Sequence, residues 1–387
     1  MKELSFDHVY HLAGDQVIPN YIGVKLCEAT THHLVVTEKT ASTIAALDAG
    51  LSNNQSQTIQ TVRVSATDYE AILKALQRSV SELPPGTRIG FNITGGTKPM
   101  SAAALDLCRR HQIAPFYIDT QERKIRFFVE PFYHLEMPPG FNTVASFLPL
   151  AGYQVKIPGT DPQELLTPAR GSLLKALWKQ RNGVQRFQND FAKAADNHSD
   201  SRPPDEYWRA LDGLMSFATS KDSYLEECWN RNFPDAEHRW REIARFAAGI
   251  WLEEWMVLQL NDSRKNENIL DLQQGIHICA HADARKETDI QNIDVAFTDG
   301  YTLTLIECKC GRYDQSNVQK LENLRTSLGG AFGKAILAAI NEPEQILSER
   351  IRLGSIALVC GHALQALADN LDHVQPKRIY QRAEDFG

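Results

Sequence analysis

Asp294, Glu307 and Lys309 are the residues whose types and spacing point most directly to chemistry, because together they suit metal-assisted cleavage of a phosphodiester. They sit in the segment IDVAFTDGYTLTLIECK, whose central Asp299-Gly300 is a turn pair favoured in two-residue hairpins. On that register Asp294 pairs with Leu305 and lies diagonally beside Glu307. Side chains alternate along a strand, so Lys309 emerges on the same face, while Ile293, Val295, Phe297 and Ile306 point the other way into a core. Converging carboxylates repel unless a cation neutralises them, and two carboxylates are the usual protein contribution to a Mg²⁺ or Mn²⁺ site that keeps several waters. Asp294 and Glu307 are therefore the expected ligands. The backbone carbonyl of Cys308 is a further donor, and Lys309 is the cation that orients the attacking water or steadies developing charge. An ExK triplet alone arises by chance; the hairpin geometry is what singles this one out.

A second constellation lies in GFNITGGTKPMSAAALDL, a strand that runs through Gly95-Gly96 into a helix starting near Lys98. Backbone amides at such a junction, with the helix N-terminus behind them, receive phosphate oxygens, and Thr94, Thr97 and Lys98 add donors. Neither GxxxxGK[ST] nor GxGxxG is present, and on glycine content alone a plain tight turn accounts for the segment nearly as well. His277, Cys279 and His281 alternate in GIHICAH, but no fourth ligand is spaced nearby, so a structural role is expected rather than zinc. Trp240, Trp251 and Trp255 have a helical spacing that suits core packing better than base stacking.

The elements that must position these groups read as α/β. DHVYHLAG, HHLVVTEKT, TVRVSA, RIGFNIT and IAPFYID are short apolar runs separated by amphipathic segments. Tyr69, Ile72, Leu73, Leu76 and Val80 mark one such helix, ended by Pro84-Pro85-Gly86. Alternating strands and helices predict a parallel, doubly wound sheet, with ligands bound beyond the carboxyl ends of the strands. A Pro- and Gly-bearing stretch near residues 131–168 marks a boundary. Helical periodicity then dominates to about Leu260, and strands return from Gly275 to Cys310. At 387 residues, two cores are expected.

The formal charge of −7 excludes a protein that coats nucleic acid through a general positive field, though not an enzyme with a local groove. Basic stretches near Arg170 to Arg186 and Arg239 to Arg245 read singly as solvated helix faces. Seven scattered cysteines without CxxC pairs suit a reducing cytoplasm. No leader-like start and no long apolar span are seen, so neither secretion nor a membrane is expected.

The segment around Asp294 and Glu307-Cys308-Lys309 resembles the PD-(D/E)xK nuclease fold, with Ile293 where a Pro often stands. In that superfamily an upstream helical carboxylate commonly completes the site, and Glu254, or else Glu253, in AGIWLEEWMVLQL is the candidate. NITGGTKPM resembles the signature of CARF domains, the CRISPR-associated Rossmann-like sensors of cyclic oligoadenylates, and HLAGDQVIPNYIG resembles their first strand and loop. The resemblance implies a CARF sensor over residues 1–135, a helical connector over 136–235 and a restriction-endonuclease-like domain over 236–387. It further implies a homodimer around cyclic tetraadenylate, in the setting of type III CRISPR defence, with Gln16, Asn20, Thr37, Thr94, Gly95, Gly96, Thr97, Lys98 and Met100 lining the pocket. Single-stranded DNA, single-stranded RNA and nicked duplex all remain open as substrates. The competing expectation is a ligand-responsive transcriptional regulator with an inactive nuclease half. That reading has no use for convergent Asp294, Glu307 and Lys309, and the chain lacks a basic recognition helix.

Overall fold

A computed structural model describes residues 4–51, 58–157, 159–196, 205–219, 222–235, 238–264, 269–280, 291–330, 333–353, 355–365 and 367. They form two compact units, one built mainly from residues up to Gln154 and the other mainly from Val155 onward. Among the described residues no helix is long and apolar enough to cross a membrane.

In the first unit the strands are β1 (His8–Leu12), β2 (Thr31–Val36), β3 (Thr58–Arg63), β4 (Ile89–Asn92), β5 (Ala114–Asp119), β6 (Lys124–Phe127) and β7 (Tyr133–Glu136). Its helices are α1 (Ile18–Leu26), α2 (Thr43–Leu51), α3 (Tyr69–Ser81), α4 (Lys98–His111) and α5 (Val144–Leu150). The sheet order is β3-β2-β1-β4-β5-β6-β7. β1 to β5 are parallel and β6 and β7 antiparallel. Parallel strands covered on both faces read as unbroken apolar runs, and β2 is buried throughout. α3 buries Ile72, Leu73, Leu76 and Val80 against Tyr10, Leu12, Phe91 and Met100. Tyr69, expected on the same stripe, is exposed instead and donates its hydroxyl to Asp106. Because the chain leaves β1 to one side and returns through β4 on the other, the strand order reverses between β1 and β4, and a crevice opens at their carboxyl ends.

The second unit holds α6 (Pro162–Leu165), α7 (Pro168–Lys179), α8 (Arg181–Asp196), α9 (Asp205–Thr219), α10 (Ser223–Asn232), α11 (Trp240–Arg245) and α12 (Trp251–Arg264), with α13 (Gln315–Leu324) and α14 (Gln345–Leu353). Its strands are β8 (Tyr153–Ile157), β9 (Asp271–Ala280), β10 (Gln291–Thr298), β11 (Leu303–Lys309), β12 (Lys334–Ala339) and β13 (Ala357–Cys360), in the order β13-β12-β11-β10-β9-β8. One core joins the helical stretch to this sheet: Leu177, Tyr207, Trp229, Trp240, Trp251 and Trp255 share it with Val295, Phe297, Ile306 and Ile336. The tryptophans therefore pack rather than stack on a ligand.

Candidate functional site

β10 and β11 form the expected hairpin with a different turn. Thr298 pairs with Leu303 and Val295 with Ile306, so four residues, Asp299 to Thr302, make the loop. Asp299 draws the chain round by accepting at Oδ1 from the amides of Tyr301 (2.9 Å) and Thr302 (2.7 Å), a side-chain turn that the Asp-Gly pair alone does not announce. The ladder is thereby displaced by two positions from the two-residue reading, and its continuation sets Asp294 opposite Glu307, not Leu305. Because the displacement is even, the faces are unchanged. Asp294 Oδ2 accepts from the Cys308 amide at 2.8 Å, and Lys309 Nζ lies 2.6 Å from Glu307 Oε1.

The helical carboxylate beside this pair is Glu253, not Glu254. Glu254 is buried, and both its oxygens are held by Arg170, Nε to Oε2 at 2.6 Å and a terminal nitrogen to Oε1 at 2.8 Å. Its charge is spent in that grip. Glu253 is half-buried and accepts from Gln274 Nε2 at 3.3 Å. Successive helix residues point roughly 100° apart, so only one of an adjacent pair can face the hairpin. The apolar residues Trp251, Leu252, Trp255 and Met256 do not settle the choice in sequence, because Glu254 is itself buried among them. The partner that removes Glu254 stands far upstream on α7.

Electrostatics follow from this crowding. Burial raises the Asp294 carboxyl to about 6, with Glu307 adding to the rise and the Cys308 amide, Lys309 and Lys320 opposing it. Burial likewise raises Glu253 to about 8, with Asp294, Glu254 and Glu307 adding and Gln274 opposing. Lys309 would be depressed by burial, yet Glu307 and Asp294 outweigh that and raise it. A hard divalent ion suits this donor set. One oxygen of each carboxylate is engaged: Asp294 Oδ2 by the Cys308 amide, Glu307 Oε1 by Lys309 and Glu253 Oε2 by Gln274. No three His, Cys, Asp or Glu side chains among the described residues close on a single point. Asp294, Glu307 and the Cys308 carbonyl could hold such an ion, with water completing its shell. The Cys308 thiol is pushed well up by burial and stays protonated. His277 and Cys279 are half-buried on β9, while His281 lies outside the described residues.

In the first unit the loops after β1 and β4 meet backbone to backbone at the crevice. A Cβ on Gly95 would stand 2.3 Å from the Leu12 carbonyl oxygen, so no side chain fits there. Gly96 has φ +81°, open to glycine and strained for other residues. Thr97 caps α4, accepting from the Met100 amide at 3.4 Å and donating to the Ala66 carbonyl at 2.7 Å. Gln16 and Thr94 are half-buried and Lys98 is exposed at the start of α4. Three other expected lining residues are buried. Met100 is fully buried in the core, Asn20 donates Nδ2 to the Leu12 carbonyl at 3.0 Å, and the Thr37 hydroxyl is paired with Thr40.

Under Thr94 runs a chain of hydrogen bonds missed in the sequence. The Thr94 amide and hydroxyl donate to Asn92 Oδ1 (3.1 and 2.6 Å), leaving Asn92 Nδ2 to donate to His11 Nδ1 at 3.2 Å. His11 Nε2 then donates to His32 Nδ1 at 2.9 Å. Burial lowers both rings, His11 well below its ordinary range and His32 to about 4, so both are neutral and the bond directions are fixed. A Cβ on Gly23 of α1 would lie 2.4 Å from Asn92 Nδ2 and 2.8 Å from His11 Nδ1. The glycine thus lets α1 seal the network.

Two family models match the chain. One described as the Card1 CARF domain covers residues 9–137, and one described as the Card1-like endonuclease domain covers residues 240–377. The chain belongs to the CARF-domain endonucleases. Solved structures agree on the fold of this CARF endonuclease. Can2 from Sulfobacillus thermosulfidooxidans, in complex with cyclic tetra-adenylate, superposes with a TM-score of 0.71 at 18% identity over 95% of this chain and 97% of that one. Protein VC1899 from Vibrio cholerae gives 0.75 at 16%, over 96% and 98%. A type III CRISPR defence DNA nuclease activated by cyclic oligoadenylate gives 0.54 at 16%, over 91% of this chain and 48% of that one. No curated protein matches in sequence.

Proposed function

We propose that this CARF endonuclease is a metal-dependent phosphodiester hydrolase, cutting DNA or RNA when cyclic tetraadenylate binds a homodimer of its sensor units in the cytoplasm. The observation that carries the chemistry is the set of crowded carboxylates, Asp294, Glu307 and Glu253, beside a lysine ion-paired to one of them. Asp294, Glu307 and the Cys308 carbonyl hold the ion, which when bound lowers the pKa of a water and offsets charge on the scissile phosphate. Lys309, tethered to Glu307, places its ammonium where charge develops on the phosphate. Glu253 is nearby as a proton-holding carboxyl. At the other site, Gly95 and Gly96 bring backbone amides to the ligand phosphates, while Gln16, Thr94, Thr97 and Lys98 offer polar contacts. The cyclic tetra-adenylate seen in the Can2 complex supports this ring as activator. Seven free cysteines suit a reducing compartment.

The test incubates the chain with single-stranded DNA, single-stranded RNA and nicked duplex in Mn²⁺ or Mg²⁺, with and without cyclic oligoadenylates of several ring sizes. Glu307→Gln should lower cleavage by at least roughly 100-fold, the upper end of the cost of losing even an outer partner of a metal site. Cleavage untouched by that substitution rules out the site. Equal cleavage without any ring rules out the switch and spares the chemistry.

A further inference from the structure

Arg170 stands on α7, outside the cutting residues, yet it is engaged on three sides. Its fork holds both oxygens of Glu254, and its guanidinium stacks 4.0 Å from the ring centre of Phe246 and 4.8 Å from that of Phe233. The Arg170 and Glu254 side chains are only 11% and 3% exposed, so the pair is shielded from water. Phe246 begins a π-helical turn, Phe246–Ile250, that leads directly into α12. Cys310, next to Lys309, donates its thiol to the Gly249 carbonyl within that turn, at 3.7 Å. A wide turn of this kind is a weak point at which the following helix can rotate. One guanidinium grips the turn through Phe246 and the first turn of α12 through Glu254.

We infer that Arg170 is a positioning residue for the nuclease site. By fixing the rotation of α12 through Glu254 and Phe246, it keeps Glu253, one residue earlier, turned toward Asp294 and Glu307. The inference rests on the reading of Asp294, Glu307 and Lys309 as the cutting site. Planar two-toothed recognition is specific to arginine, and lysine in its place supplies charge without orientation. Removing one partner of a buried pair strands the other charge and destabilises the fold, whereas replacing both by apolar residues of similar volume is often neutral.

Two variants are compared with the wild type: Arg170→Lys, which leaves the Glu254 carboxylate in place, and the double substitution Arg170→Met with Glu254→Met. Readouts are the melting temperature, kcat and KM on single-stranded substrate with activator and Mn²⁺, and the near-ultraviolet circular dichroism of the metal-free protein. That band reports the seating of α12, because Trp255 stacks on Trp178 of α7 at 4.9 Å between ring centres. Both variants are expected to melt close to the wild type and keep KM. Their kcat should fall by about 10- to 100-fold, as misplacement by an ångström costs, and the aromatic band should change. Wild-type kcat or an unchanged band in either variant that melts with the wild type overturns the positioning role and leaves the site reading standing. A wild-type chain that cuts no nucleic acid overturns both.

Discussion

Asp294 and Glu253 are carboxyls that the fold holds partly neutral, and the sign of the consequence follows from burial. A carboxyl whose folded value is raised binds its proton more tightly in the native state, so stability is lost as pH rises from the unfolded value toward the folded one. For Asp294 that window runs from about 4 to about 6, and for Glu253 from about 4 to about 8. Each unit is worth about 1.4 kcal/mol. The buried His11 and His32 oppose this below their ordinary value of 6.5, so the metal-free chain should melt progressively lower from about pH 6.5 to 8, where Glu253 alone of these groups still titrates. Mn²⁺ should restore the melting temperature most at the upper end, since the ion displaces those protons. Glu253→Gln removes one of the crowded charges and should flatten the profile measured in chelator, while reducing cleavage. A wild-type chelator profile that rises between about pH 6.5 and 8 contradicts the assignment of Glu253.

At the scale of elements, the sequence carried the hairpin, the α/β alternation and the strand-turn-helix at Gly95-Gly96, because each is encoded by local spacing or turn chemistry. It did not carry the four-residue loop at Asp299, whose geometry depends on one carboxylate accepting two amides. Nor did it carry the choice between Glu253 and Glu254, which a residue on α7 decides, or the Asn92–His11–His32 chain, which needs three strands brought side by side. Long-range partners leave no periodic trace. The buried chain makes a prediction at the level of α1. Gly23→Ala drives a methyl against the Asn92–His11 hydrogen bond, and should cost about 1–3 kcal/mol as overpacking. Thr94 loses its anchor, so affinity for cyclic tetraadenylate should fall while the Mn²⁺ response of the melting temperature persists. Calorimetric titration of the ring into Gly23→Ala checks this, and wild-type affinity there shows that the network does not support the ligand loop.

For the whole molecule, the proposed switch must obey mass action. A ring of four identical nucleotides offers two equivalent halves, so a two-fold pair of sensor units can give each half the same contacts. Such a ligand is shared by two chains, and its apparent affinity must then depend on chain concentration. Titration should saturate at one ring per two chains. Dilution below the dissociation point of the dimer should weaken binding, and the ring should in turn raise the fraction of dimer, because coupling between two binding equilibria is reciprocal. Saturating ring at about 100 times its Kd stabilises the folded pair by about 2.7 kcal/mol, visible as a rise in melting temperature. To carry the nuclease from about 1% to about 99% active, the ring must prefer the active arrangement by about 10⁴-fold. A variant that binds the ring tightly without cutting has thus lost the preference and kept the affinity. Sedimentation across a dilution series, with and without the ring, measures these quantities together. A stoichiometry of one ring per chain, unchanged on dilution, excludes the shared pocket and with it a switch that works by pairing the subunits.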